Sequence, residues 1–296
     1  MTGRAWTAVA ALAGAASLAG CGGGAHAPRA EQPAAPARLA FTDPSSQPLR
    51  IVDRGVVERR GQVSVHDVSY TSGDRRVVAY LVEPADAHGA RAGVVLVHGS
   101  GGDRHELLVY AIDLARHGML AIAPTMPSER PQSPPVSLAA LLAQARSSTV
   151  EDVVAVRRAG DVLVAHGARR LGYLGWSSGA KTGTFVAASD RRFAGLALLS
   201  AGAATVGQFV SAAPAGSRAL VRRELSLVDP IGYVALARPG TLLLENGTRD
   251  AVVPRAALDN IVHAAPKGTV VRWYPAGHAL DAAAYRAAIT WLLARL

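Results

Sequence analysis

Short, nearly unbroken apolar runs recur along this chain, at residues 93–97 (GVVLV), 119–123 (MLAIA), 170–176 (RLGYLGW), 193–200 (FAGLALLS) and 241–245 (TLLLE). A strand with one face in water alternates apolar and polar residues, so an unbroken run requires cover on both faces. The segments between the runs carry the 3.6-residue period of helices. They are 106–117, stopped by Gly118; 137–166, as one helix or two; the stretch after Ser177; 255–263; and 281–296. A further strand is expected at 269–274. Buried strands alternating with helices imply an α/β architecture, with a mostly parallel central sheet and helices on both faces. Ahead of this pattern, 63–70 and 76–83 alternate as half-buried strands and read as a hairpin across Ser72-Gly73-Asp74. Residues 124–135 are proline-rich and read as a loop. Residues 201–239 read as irregular, with helices near 218–225 and 230–236.

The chain has 296 residues, half of them hydrophobic and 18% charged, which is enough for one large domain with an ample core. Aromatic residues are only 5%, so alanine, valine and leucine must build that core. The formal charge of +9 comes almost entirely from arginine, since Lys181 and Lys267 are the only lysines. The arginines fall as scattered pairs, without a block, a stripe or a nucleic-acid motif. They read as compositional bias toward Ala, Arg and Gly; attraction to an anionic surface is the functional alternative.

Cys21 is the only cysteine, which excludes an intrachain disulfide. Residues 1–20 read as a leader, with Arg4 at its positive end and an apolar stretch at 5–18 that is short for a membrane span. The leader ends in Leu18-Ala19-Gly20-Cys21, which resembles the lipobox of bacterial lipoproteins. That resemblance implies cleavage before Cys21, a lipid on Cys21 and an extracytoplasmic, membrane-anchored protein; plain secretion is the alternative. Residues 21–48 are rich in Gly, Ala and Pro and read as a flexible tether. The folded domain is expected over 49–296.

Gly175-Trp176-Ser177-Ser178-Gly179 reads G-x-S-x-G between a strand and a helix. That context presents a serine on a tight, strained turn, where small neighbours are needed. A serine hydroxyl needs a base beside it, histidine is the usual one, and a carboxylate must set the tautomer of the histidine. In wound α/β sheets, residues meet just past the carboxyl ends of strands. Ser177, Asp250 and His278 each lie there, after the strands ending at 176, 245 and 274. Glu245 is a second candidate acid. An oxyanion needs two backbone N–H donors. Ser178, at the start of the helix, supplies one. The loop His98-Gly99-Ser100-Gly101-Gly102 supplies the other, from Ser100 or alternatively Gly101. His98 reads as a structural residue of its loop, and His66, His105 and His263 lack metal-ligand spacing. Asp229 reads as a helix cap, Trp176 as pocket wall or packing, and Lys181 has no assigned role.

The order Ser177, Asp250, His278 is that of the α/β-hydrolases, and the chain resembles that family over residues 60–296. The loop at 98–102 resembles the family's oxyanion loop. Asp229-Pro230 and the G-x-x-D-x-x-V-P pattern at 247–254 resemble the dienelactone-hydrolase-like and prolyl-oligopeptidase-like esterases. True dienelactone hydrolases carry cysteine at the elbow where this chain carries Ser177, so their particular reaction is not implied. The resemblance implies hydrolysis of a carboxylic ester through an acyl-enzyme, without metal or cofactor, on a small-molecule substrate. A peptidase or acyltransferase using the same residues, and a non-catalytic binding protein on the same fold, are the alternatives. The segment 201–239 is short for a large lid, which favours an open site and soluble esters.

Overall fold

The computed structural model of the chain describes residues 47–84 and 92–296, together with Leu39 and Phe41. The expected leader, Cys21 and most of the expected tether lie outside the described residues.

Among the described residues one sheet runs in the order β1-β2-β3-β5-β4-β6-β7-β8-β9. Its strands are β1 (Val52–Arg60), β2 (Val63–Ser72), β3 (Arg75–Pro84), β4 (Ala92–Val97), β5 (Leu120–Pro124), β6 (Arg170–Trp176), β7 (Phe193–Leu199), β8 (Leu242–Gly247) and β9 (Val270–Tyr274). The pairs β1–β2, β2–β3 and β3–β5 are antiparallel, and every pair from β5 to β9 is parallel. The expected hairpin is β2–β3, with Ser72 opposite Arg75 and Gly73 supplying φ +59° in the turn.

Eight helices are described: α1 (Leu108–Arg116), α2 (Leu138–Ala165), α3 (Ser178–Ser189), α4 (Val206–Ala212), α5 (Arg218–Leu227), α6 (Pro230–Val234), α7 (Arg255–Ala264) and α8 (Ala282–Leu293). On one face of the sheet, α2, α3, α6 and α7 pack against a core that includes Tyr70, Val95, Tyr173 and Leu198. On the other face, α1 and α8 pack against Val94, Leu96, Leu174 and Leu199. The six residues of β4 are all buried, as a doubly covered strand requires.

The chain leaves β4 for β5 on one side and then returns to β6 on the other. Loops at such a reversal diverge, and the crevice between them is where wound α/β sheets place their ligands. Val97 at the end of β4 is in register with Gly175 near the end of β6. The loop at 98–102 and the turn at Ser177 therefore start side by side.

Three features extend the sequence reading or depart from it. Edge strand β1 has almost no apolar alternation; its charged side chains keep the edge in water, and its backbone pairs with the otherwise open side of β2. Helix α2 is one continuous helix of 28 residues, with no proline inside it to break it. The segment 201–239 is largely helical. Thr205 and Gln208 form a capping box on α4, and α4 and α5 close a small third core around Leu142, Val210, Val221 and Leu225.

The arginine pair on α2 is structural. Arg158 is 2% exposed and donates to Thr71 O at 3.2 Å, Gln47 O at 2.6 Å and Asp161 Oδ2 at 3.0 Å. Arg157 donates to Phe41 O at 2.9 Å. Phe41 also packs edge-on to Phe185 and Tyr233, and the Leu39 N–H donates to the Tyr233 hydroxyl. Two residues assigned to the tether by composition are thus seated on the helical face.

Candidate active site

Ser177 occupies the turn between β6 and α3 with φ +56° and ψ −115°, a conformation that costs a non-glycine residue about 1–3 kcal/mol. The surrounding sequence holds it there. A Cβ at Gly175 would lie 2.6 Å from the Gly179 backbone, and one at Gly179 would lie 2.7 Å from His98 O. Neither position tolerates a side chain, so both glycines of the motif are required by close approach. The Ser177 N–H donates to Leu199 O on β7 at 2.9 Å, and the Lys181 N–H donates to Ser177 O at 3.0 Å.

The three residues singled out by chain order converge. His278 Nε2 lies 2.8 Å from Ser177 Oγ, and His278 Nδ1 lies 2.8 Å from Asp250 Oδ2. The Asp250 side chain is 1% exposed and that of His278 13%. Asp250 Oδ1 accepts the N–H groups of Val252 and Val253, each at 2.9 Å. One carboxylate oxygen is thus fixed by backbone, which leaves the other aimed at the imidazole. Such an arrangement holds a proton on Nδ1 and leaves the Nε2 lone pair facing the serine hydroxyl.

The histidine loop is itself anchored. The Trp176 indole N–H and the Ser200 hydroxyl both donate to His278 O at 2.9 Å. Ser200 ends β7 at φ +55°, so a second strained serine aims its hydroxyl into the site. Trp176 therefore packs against the histidine loop and holds it. Its ring lies 5.4 Å from the imidazole, and a Cβ at Gly99 would meet it at 2.7 Å. Sequence reading left Ser200 unnoticed, because a lone serine after a strand carries no signal of its own.

The N–H groups of the loop after β4 differ in their acceptors. The Gly99 N–H donates to Glu106 Oε2 at 2.7 Å, the Gly101 N–H to Glu129 Oε2 at 2.9 Å, and the Gly102 N–H to Gly99 O at 3.1 Å. Of the two candidates, Gly101 thus has its N–H committed to Glu129, while the Ser100 N–H has no acceptor among the described residues. The Ser178 N–H, in the first turn of α3, has no intrahelical partner either. His98, 2% exposed, accepts the Met126 N–H on Nε2 at 3.0 Å, so Nδ1 carries the proton donated to Gly99 O at 2.7 Å. It is structural, as expected. Sequence reading missed Glu106 and Glu129 as partners of this loop; Glu106 lies further along the same connection, ahead of α1, and Glu129 comes from the segment after β5.

No protein-family model matches the sequence, and no curated protein does. Solved structures do match. The chain superposes on acetyl xylan esterase from Paenibacillus sp. R4 with TM-score 0.67 and 18% identity, over 85% of this chain and 90% of that one. It superposes on acetyl xylan esterase 1 from Thermoanaerobacterium sp. JW/SL YS485 with TM-score 0.68 and 16% identity, over 84% and 89%. It superposes on dienelactone hydrolase from Anabaena variabilis ATCC 29413 with TM-score 0.52 and 16% identity, over 79% and 97%. The chain has the α/β-hydrolase fold.

Within that fold the other candidates take other places. Glu245 does not reach His278. It lies inside β8, 0% exposed, and accepts the Tyr274 hydroxyl at 2.9 Å and Arg272 Nη1 at 3.2 Å. Strand β8 continues to Gly247, two residues beyond its expected end, so Glu245 stays within the sheet and Asp250 follows it. Asp229 caps α6 by accepting the Ile231 N–H at 3.0 Å. His66 pairs with Asp53, and His105 lies between Asp103 and the Tyr80 hydroxyl. No cluster able to hold a metal occurs among the described residues.

Burial raises the Glu245 carboxyl to about 7, although its bonds to Tyr274 and Arg272 oppose that shift. The folded state therefore holds a proton that the unfolded chain, titrating near 4.5, has already released. Stability from this group is complete below the unfolded value and is lost as pH rises from about 4.5 through about 7. Glu245→Gln should remove that loss and stabilise the fold at pH 8 by on the order of 1–3 kcal/mol relative to its effect at pH 4. Urea unfolding of both proteins at the two pH values measures it; an equal effect at both would refute the assignment.

Proposed function

We propose that the protein is a serine hydrolase that cleaves carboxylic esters through an acyl-enzyme. The unbroken hydrogen-bond chain from Asp250 through His278 to Ser177 carries this reading. In the proposed reaction, Ser177 Oγ attacks the acyl carbonyl while His278 Nε2 takes its proton. The carbonyl oxygen becomes negative between the Ser100 and Ser178 N–H groups, in a position where each donor is worth about 3 kcal/mol. His278, now charged and facing the Asp250 carboxylate, returns the proton to the departing alkoxide. Water, deprotonated by the same imidazole, then releases the acyl group and restores Ser177. An esterase is favoured among the serine hydrolases by the two superposed structures described as acetyl xylan esterases.

Labelling with a fluorophosphonate probe tests the reading. Folded wild-type protein should be labelled and should hydrolyse p-nitrophenyl esters. A folded protein that does neither is a binding protein on a hydrolase fold.

The reading places the enzyme outside the cytoplasm, anchored through a lipid on Cys21, with residues near 21–48 spanning from membrane to domain. The sequence Leu18-Ala19-Gly20-Cys21 supports this. Metabolic labelling with a fatty acid should mark the wild type in a bacterial host and not Cys21→Ser; equal labelling of the two, or none of either, sinks the anchor.

A further inference from the structure

A small cavity is lined by both proposed oxyanion donors and not by His278. Its lining includes Ser100 and Ser178, together with Glu129, Asp152, Lys181 and Phe185, and its volume is about 20 Å³. That is room for one or two water-sized groups. Its position has a chemical meaning that rests on the proposed ester hydrolysis. The tetrahedral carbon bonded to Ser177 has three other substituents. The oxyanion takes the Ser100 and Ser178 N–H groups, and the leaving oxygen must face His278 Nε2 to receive its proton. The acyl substituent is left to point away from His278, into this cavity.

We infer that this cavity is the acyl pocket, and that it restricts the enzyme to esters of acids with two or three carbons. Size is the first reason. The second is that the walls are charged and fixed. Glu129 is held by the Gly101 N–H at 2.9 Å and Asp152 by the Ser128 N–H at 3.0 Å. Neither carboxylate can swing aside without giving up its bond to a backbone N–H. An alkyl tail would have to lie against the polar groups of Glu129, Asp152 and Lys181 without offering them a hydrogen-bond partner, and covering polar groups in that way is costly. Burial already holds Lys181 down to about 8 and Asp152 up to about 7, as expected of groups with little contact with water. Phe185, 3% exposed, supplies the apolar part of the lining.

The test is a p-nitrophenyl ester series of acetate, butyrate and octanoate, run on wild type, Ser177→Ala and Phe185→Leu. In a restrictive pocket each surplus methylene costs about 10–200-fold. Butyrate carries one methylene beyond that limit, so wild-type kcat/KM should fall by at least about 10-fold from acetate to butyrate and much further to octanoate. Phe185→Leu, which shortens one wall, should narrow that ratio several-fold. Comparable wild-type rates on acetate and octanoate, well above Ser177→Ala, overturn the pocket and leave ester hydrolysis standing. Wild-type rates no higher than Ser177→Ala on every ester overturn both. If Phe185→Leu melts well below wild type, Phe185→Met replaces it. An unchanged ratio in a folded variant overturns the placement of the acyl group.

Discussion

Ser177→Ala should lower kcat on p-nitrophenyl acetate by about 10⁵–10⁶-fold and abolish fluorophosphonate labelling, while far-UV circular dichroism stays that of the wild type. The size of the loss follows from the geometry. In the proposed reaction Ser177 Oγ forms the new bond, and it lies 2.8 Å from His278 Nε2, the proposed base. Alanine leaves the imidazole with nothing to deprotonate at that point. The fold should survive, because the turn is held by backbone bonds to Leu199 and Lys181 and by the close approach of Gly175 and Gly179. The Ser100 and Ser178 donors also remain, so some rate above that of water should persist. Because the residues act as one unit, Ser177→Ala combined with His278→Ala should be no slower than Ser177→Ala alone. Losses that multiply in the double variant would show that the two side chains act separately.

Asp250→Asn should lower kcat by about 10⁴-fold at neutral pH with little change in KM. Asp250 Oδ1 accepts two backbone N–H groups, from Val252 and Val253. An asparagine here must keep its carbonyl oxygen on those donors, so its amide NH₂ faces His278 Nδ1. A donor facing Nδ1 requires that nitrogen to be the acceptor, which moves the proton to Nε2. The nitrogen 2.8 Å from Ser177 Oγ then carries a hydrogen and cannot take one. The geometry is preserved and the tautomer is wrong. A ¹⁵N spectrum of the imidazole should show Nδ1 protonated in the wild type and Nε2 protonated in the variant. Should Asp250→Asn retain more than a tenth of the activity while Glu245→Gln loses it, the acid would be Glu245.

Much of this site can be read along the chain, for a physical reason. The nucleophile sits in a motif of five consecutive residues, where two glycines are demanded by close approach. The acid and the base are short-range features too, each placed just past an apolar strand. Sequence reading preferred Asp250 and kept Glu245 as the second acid, because both follow the same run of leucines. Two further residues of strand decide it, and those residues are held by pairing with β9, not by their own composition. Ser100 was preferred with Gly101 as its alternative, for a similar reason. Their N–H groups differ only in that Glu129, 28 residues away, consumes one of them.

Strand β1 shows the converse. Nothing in its charged sequence buries, so no periodicity announces it, and it exists as a strand because β2 has an edge to offer. The sequence alone determined the alternation of doubly buried strands with helices, and the identity and order of Ser177, Asp250 and His278. Apolar runs and close-packed glycines are local demands, legible wherever they occur. The tertiary structure decided which acid faces the histidine, which N–H remains for the oxyanion, how Ser200 and Trp176 pin the histidine loop, and how little room lies beside the donors. Each of these is set by groups far apart in the chain, whose meeting depends on the packing of the whole sheet.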